Sequence, residues 1–364
     1  MRSCLTFSRH CGYAHPANRI LVLESVKSTL RSPKVHSVAI VLATLALLWL
    51  FFRGVNLGEL RQSLLRASPA LIFWSLVATA ATYLLRAIRW QGLLRPLGPA
   101  RLSNCFSATV IGFMVNFLAP ARLGEIARPY VLARREGFSA SGAFATILLE
   151  RVFDLVTVVF FVAFWLLLGP KLLGRGDMVS SLKLGGVLGL GFAAVALVSM
   201  YFLACYPEPS MAFAKRVFRI LPHRVAARAA RFLDTFRGGL GVLVHGAGLV
   251  KAFLLSVVLW LAICLSFWLA ARALAVDIGF GETFLVIGFL TVGVSVPTPG
   301  AIGGYHYMCS LALTALFGVG ASQAAAVALV GHAISFLPVT FLGILLFVKA
   351  GLTISEFKSQ EKQK

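Results

Sequence analysis

Long apolar runs separated by short basic segments set the pattern of this chain. The runs fall at residues 37–52, 69–88, 103–119, 142–168, 184–205, 250–271, 283–296, 303–317 and 322–348. A bilayer crossing takes about 20 apolar residues in a helix, with a lower limit near 17. Most of the runs reach that range, whereas 283–296 and 303–317 are short. The pattern predicts an all-α fold, a polytopic integral membrane helical bundle. The organisation expected is a basic cytoplasmic tail over 1–36, a membrane domain over 37–348, and a second cytoplasmic tail over 349–364.

Two segments interrupt the helical pattern. The first is Asn116-Phe117-Leu118-Ala119-Pro120-Ala121-Arg122-Leu123-Gly124-Glu125, broken by Pro120 and Gly124. The second runs from Ser295 to His306 and holds Pro297, Pro299, Gly300, Gly303 and Gly304. Proline removes a helical donor and glycine weakens a helix, so both runs should break here. Broken backbone at membrane depth is tolerated only inside protein or along a cavity. Charge suggests how the first break is used. A full crossing by 103–119 would put Arg122, Arg128, Arg134 and Arg135 on the side opposite Arg86, Arg89, Arg95 and Arg101, against the positive-inside tendency. A segment that enters and returns to the same side removes the conflict. The second break leaves two alternatives, half-helices meeting at a turn or two tilted crossings. Interrupted segments in the two halves of a chain point to a transporter binding site and suggest an inverted pseudo-repeat.

Between the breaks, Glu150, Arg151 and Asp154 sit inside the apolar run 142–168. Glu150 and Asp154 are four apart and share a helical face, and Arg151 is three from Asp154. An Asp or Arg at the centre of an inserted helix costs about 2.5–3.5 kcal/mol. The three are therefore expected to face protein or a wet cavity and to pair. The bland alternative puts Glu150 and Arg151 among the headgroups. Other candidates are Arg122, Glu125 and Arg128 around the first break, and His306 and His332 in or beside apolar runs. Arg122 suits a phosphate group, since its planar fork matches phosphate oxygens. Arg86 and Arg89 read as interfacial anchors, and Asn116 as a cap for amides freed at the break.

Composition narrows the classes further. Of 364 residues 59% are hydrophobic and 13% charged. Mean hydropathy is +0.87, and a soluble domain would be nearer 25% charged. The net charge of +21 is spread between apolar runs rather than gathered in one stripe, which argues for anionic lipid and topology rather than nucleic acid. In 206–249, Val225, Ala229, Phe232, Phe236 and Leu240 share one helical face while Arg224, Arg228 and Arg231 lie on the other, the pattern of an interfacial amphipathic helix. Six scattered cysteines show neither CxxC nor metal spacing, so no disulfide, metal or cofactor is expected.

Three motifs in order carry a resemblance: Pro120-x-Arg122-x-Gly124-Glu125-x-x-Arg128, Glu150-Arg151-x-x-Asp154, and Pro297-x-Pro299-Gly300-x-x-Gly303. From about residue 35 to 350 the chain resembles the transmembrane region of lysylphosphatidylglycerol synthases, the flippase-like family. The resemblance implies a helical membrane fold with re-entrant elements and a lipid-handling role. Two departures bear on specificity. Ala301 stands where members often have glycine, and His306 where they often have glutamate. The soluble aminoacyl-transfer domain of the synthases is not expected in this sequence. The functions to be weighed are a flippase for phospholipid or polyprenyl-linked headgroups in the cell membrane, a membrane glycosyl- or aminoacyl-transferase, and a membrane anchor for a separate transferase.

Overall fold

The computed structural model describes residues 33–119, 122–168, 176–218, 222–244 and 246–351. Every regular element among them is helical, and no strand occurs among the described residues. The helices are α1 (Pro33–Phe52), α2 (Leu57–Leu65), α3 (Pro69–Leu93), α4 (Leu102–Leu118), α5 (Gly124–Glu136), α6 (Ala140–Leu168) and α7 (Gly176–Cys205). They continue with α8 (Pro207–Phe218), α9 (His223–Gly239), α10 (Gly246–Ala273), α11 (Thr283–Ser295), α12 (Gly304–Phe317) and α13 (Ala321–Lys349). Among the described residues, four stretches are long and apolar enough to cross a bilayer: Pro69–Leu93, Val187–Cys205, Ala247–Ala273 and Ala321–Lys349. α1 and α2 are joined at a bend of 82°.

Both interruptions fold as helical hairpins. At the open end of the first, Glu136 Oε1 accepts from the Arg101 amide at 3.0 Å and from Asn104 Nδ2 at 2.7 Å, so α4 and α5 begin and finish side by side. Near the turn the two helices touch through glycine. A Cβ at Gly124 would lie 1.8 Å from the Gly112 carbonyl oxygen. Asn116 Oδ1 accepts from the Gly124 amide at 2.7 Å, the capping role its position suggested. The pair α11 and α12 closes the same way: a Cβ at Gly304 would lie 2.3 Å from the Gly293 carbonyl oxygen. The second interruption is a turn between two short helices of 13 and 14 residues.

The hairpins lie end to end along α13. Tyr305 of α12 packs on His332 and Phe336, and the short link after Phe317 keeps α12 beside the N-terminal half of α13. Met114 and Val110 of α4 touch the site of Gly343, and Leu346 and Phe347 join the buried cluster around α4, so the first hairpin lies beside the C-terminal half. The two turns meet at the middle of α13. There Phe117 stacks on Phe336 at 5.6 Å, and His332 Nε2 lies 2.8 Å from the Gly300 carbonyl oxygen.

The surrounding helices hold this axis. α3 and α10 are pinned by Ser75 Oγ donating to the Ser266 carbonyl at 2.7 Å and by a Thr79–Ser266 hydroxyl pair at 2.7 Å, small polar residues that let helices approach closely in lipid. The amphipathic segment forms α9. Its Phe236 and Leu240 are buried toward α6, where a Cβ at Gly239 would strike the Gly142 carbonyl, while Val225 and Phe232 stay exposed.

Candidate functional site

The centre of the site is an ionic network between helices. Arg89 on α3 is the hub. Its Nη1 donates to Asp154 Oδ1 at 2.6 Å and to Ser256 Oγ at 2.7 Å, and its Nε lies 3.4 Å from Glu150 Oε1. Arg128 on α5 donates to Glu150 Oε2 at 2.6 Å. Arg151 Nη2 lies 3.2 Å from Asp154 Oδ2, and Trp260 Nε1 on α10 donates to Asp154 Oδ1 at 3.0 Å. Glu150 is fully buried, and Arg89, Arg128 and Asp154 are nearly so. Removing such ions from water costs several kcal/mol each, which only close pairing offsets.

Aromatic rings complete the setting. The Arg128 guanidinium lies 3.9 Å from the centre of the Trp90 ring, and Trp90 Nε1 donates to Thr146 Oγ1 at 2.9 Å, fixing the indole plane. Arg86 lies 5.0 Å from the centre of Phe113. Several donors still have no hydrogen-bond partner: Nε of Arg86 and Arg151, Nη2 of Arg89, Nε and Nη2 of Arg128, and Thr298 Oγ1.

Beside the network, where the hairpin turns meet, is a pocket of about 110 Å³. Arg122, Glu125 and Arg128 line it from α5 and its turn, Arg151 from α6, and Pro297 and Thr298 from the second turn. Arg122 Nη2 donates to the Val294 carbonyl at 2.8 Å and so ties one turn to the other; its Nη1 lies 3.8 Å from Glu125 Oε1. Each turn holds a non-glycine residue in the left-handed region, Arg122 (φ 55°) and Ala301 (φ 55°). Such residues are strained and cluster at functional sites.

The transmembrane-region model of lysylphosphatidylglycerol synthase matches residues 35–343. The chain belongs to this family. It is 26% identical to "Glycosyltransferase AglD" of Haloferax volcanii over 90% of this chain, and spans 57% of that protein's length. It is 23% identical to a UPF0104 membrane protein of Methanothermobacter thermautotrophicus, covering 82% of this chain and 91% of that one. A UPF0104 membrane protein of Pyrococcus horikoshii is 25% identical, covering 87% and 97%. Family membership and the apolar helices together make this a multi-pass membrane protein.

Within the family frame, the three motifs converge. Arg122, Gly124, Glu125, Arg128, Arg151, Pro297 and Gly300 all border the pocket, and Glu150 and Asp154 stand behind it as the acceptors that hold its arginines. Pro120 lies outside the described residues. Pro299 and Gly303 shape the second turn, with Gly300 and Gly303 both at positive φ. His306 is not at the pocket: it packs against Phe51 at 5.3 Å and His332 at 4.5 Å. Two expectations change. Arg89 is no interfacial anchor but the hub of the network, and Arg86 lies one turn from it beside Phe113. Glu150 serves Arg89 and Arg128 rather than its neighbour Arg151. Sequence reasoning also passed over Trp90, Ser256, Trp260 and Thr298. Among the described residues, no group of three or more His, Cys, Asp or Glu side chains is arranged to hold a metal ion.

Proposed function

We propose that the protein translocates a lipid whose headgroup carries phosphate, with the pocket between the hairpin turns as the halfway site. One observation carries this reading: arginines from two motifs, backed by buried carboxylates, face a pocket where broken helices meet. The electropositive N-terminal end of α5 adds to the attraction at Gly124 and Glu125. The headgroup passes along this junction while the acyl chains stay in lipid. Arg122 and Arg151 make first contact, Glu125 and Asp154 orient them, and Arg128 waits deeper.

Reconstitution in liposomes with headgroup-labelled lipids tests the proposal. Translocation by wild type, lost in Arg151→Ala and Arg128→Gln protein that still purifies as a folded species, is the expected result. No translocation of any anionic, zwitterionic or polyprenyl lipid by wild type would end it. The similarity to the Haloferax volcanii glycosyltransferase favours a second reading, a membrane glycosyltransferase or the membrane partner of one. Transfer of labelled sugar to lipid by the purified chain would favour the enzyme, and co-purification of a soluble transferase would favour the partner.

A further inference from the structure

The charges around the pocket do not balance. Five guanidinium groups, Arg86, Arg89, Arg122, Arg128 and Arg151, meet three carboxylates, Glu125, Glu150 and Asp154. Every carboxylate already faces at least one arginine, so two positive charges are left over among these described residues. A lysine in such a place would shed its proton, but an arginine cannot. The buried ions balance, Arg89 and Arg128 against Glu150 and Asp154, so the excess sits on the partly exposed Arg86, Arg122 and Arg151, where an anion from outside can meet it. The remaining hydrogen-bonding capacity agrees in kind. The partnerless polar atoms are mostly donors, and two of the residues that carry them, Arg128 and Thr298, line the pocket while being more than nine-tenths buried. The two carboxylate oxygens among them, Glu150 Oε1 and Asp154 Oδ2, already lie 3.4 Å from Arg89 and 3.2 Å from Arg151, so the donors outnumber the acceptors and favour a ligand rich in acceptor oxygens.

Size restricts the ligand further. At about 110 Å³ the pocket is well below the ~300–1,000 Å³ of sites that enclose drug-sized molecules. It suits a compact charged terminus rather than a phosphate extended on both sides by ester groups.

We infer that the pocket takes a terminal phosphate in its dianionic form, a phosphomonoester lipid, in preference to a phosphodiester lipid. The inference rests on the translocation reading and names its substrate class. Two charges on the ligand match two on the site, and the three terminal oxygens accept from the Arg128 and Arg151 guanidiniums and from the Thr298 hydroxyl. Arg86 contributes excess charge but, with Phe113 as its neighbour, takes no part in the ion pairs.

Competition for the purified protein, read by native mass spectrometry in mild detergent, tests this with phosphatidic acid, phosphatidylglycerol and phosphatidylethanolamine of the same acyl chains. Phosphatidic acid should be retained at least about tenfold over phosphatidylglycerol at pH 8. The preference should shrink toward pH 5, as the monoester loses its second charge through a pKa near ~6. The protein's own groups facing the pocket are Arg122, Glu125 and Arg128 from α5 and its turn, and Arg151 from α6, backed by Glu150 and Asp154. α3 adds Arg86 and Arg89, and at the junction with α12 and α13 stand His306 and His332. Any of these groups that gained a proton between pH 8 and pH 5 would make the site more positive and raise the preference, so a fall in the ratio reports the ligand's own ionisation. Arg86→Gln removes one excess charge and should cut the preference at pH 8 to about threefold or less; Thr298→Val should lower it while phosphatidylglycerol binding holds. Equal retention of the two anionic lipids, or a ratio unchanged between pH 5 and 8, overturns the inference and leaves translocation standing. If no lipid is retained and none is moved in liposomes, both fall.

Discussion

At the scale of single residues, the network ranks its members. Arg89 satisfies Asp154 and Ser256 and lies against Glu150, all in buried surroundings. Arg89→Ala leaves two buried carboxylates short of a partner and should cost about 3–5 kcal/mol. Arg151 has a side chain one-third exposed and reaches only Asp154, which keeps Arg89 and Trp260. Arg151→Ala should cost about 1 kcal/mol or less, since a solvated pair is weak. Thermal melting of the detergent-purified variants checks the order; equal losses would contradict the hub assignment. The rank was not legible in the sequence. Arg151 stands beside two acids and looks like their partner, whereas Arg89 lies 65 positions from Asp154 near a basic loop and looks like an anchor. A clue was available: Glu150 and Asp154 share a face that Arg151 leaves by one residue, so at least one cation had to come from another helix.

Among elements, the glycines of the hairpins carry the argument. Gly112 with Gly124, and Gly293 with Gly304, let paired helices touch backbone to backbone. Gly124→Ala and Gly304→Ala should each destabilise by about 1–3 kcal/mol or more, because the added methyl meets backbone that cannot rotate away. Asn116→Ala removes one cap and should cost about 1 kcal/mol. Melting curves separate these; a Gly124→Ala protein as stable as wild type would mean that α4 and α5 do not pack as described. Both interruptions were legible from Pro and Gly chemistry, and the return of the first followed from charge. That the two breaks converge followed from the interrupted segments in the two halves. Their end-to-end meeting, with Phe117 against Gly300, was not legible, because it depends on α13 running past both.

For the whole molecule, basic residues collect at one end. Arg95, Arg101, Arg134, Arg135, Arg237 and Lys251 lie where α3 ends and α6 begins, an end defined by Leu97 against Gly142 and Pro96 against Gly241. The opposite end is mixed, with Glu59, Asp277 and Glu282 among Arg53, Arg61 and Arg272. By the positive-inside tendency the basic end is expected on the cytoplasmic side. Accordingly, in a background without reactive native thiols, Asp277→Cys should react with a membrane-impermeant maleimide on intact cells and Arg231→Cys only after lysis. The reverse pattern would invert the molecule and with it the direction assigned to the first hairpin.

The two hairpins each reach only part-way through the bundle. α4 has 17 residues and α11 has 13, about 25 Å and 20 Å at helical rise. Because their turns meet beside the middle of α13, neither hairpin has to span a bilayer alone. On the translocation reading, an anionic headgroup that pauses at the junction has crossed part of the membrane potential, which is worth about 2.3 kcal/mol per charge for each 100 mV over the full span. Passage of a net negative charge through the molecule should therefore depend on voltage.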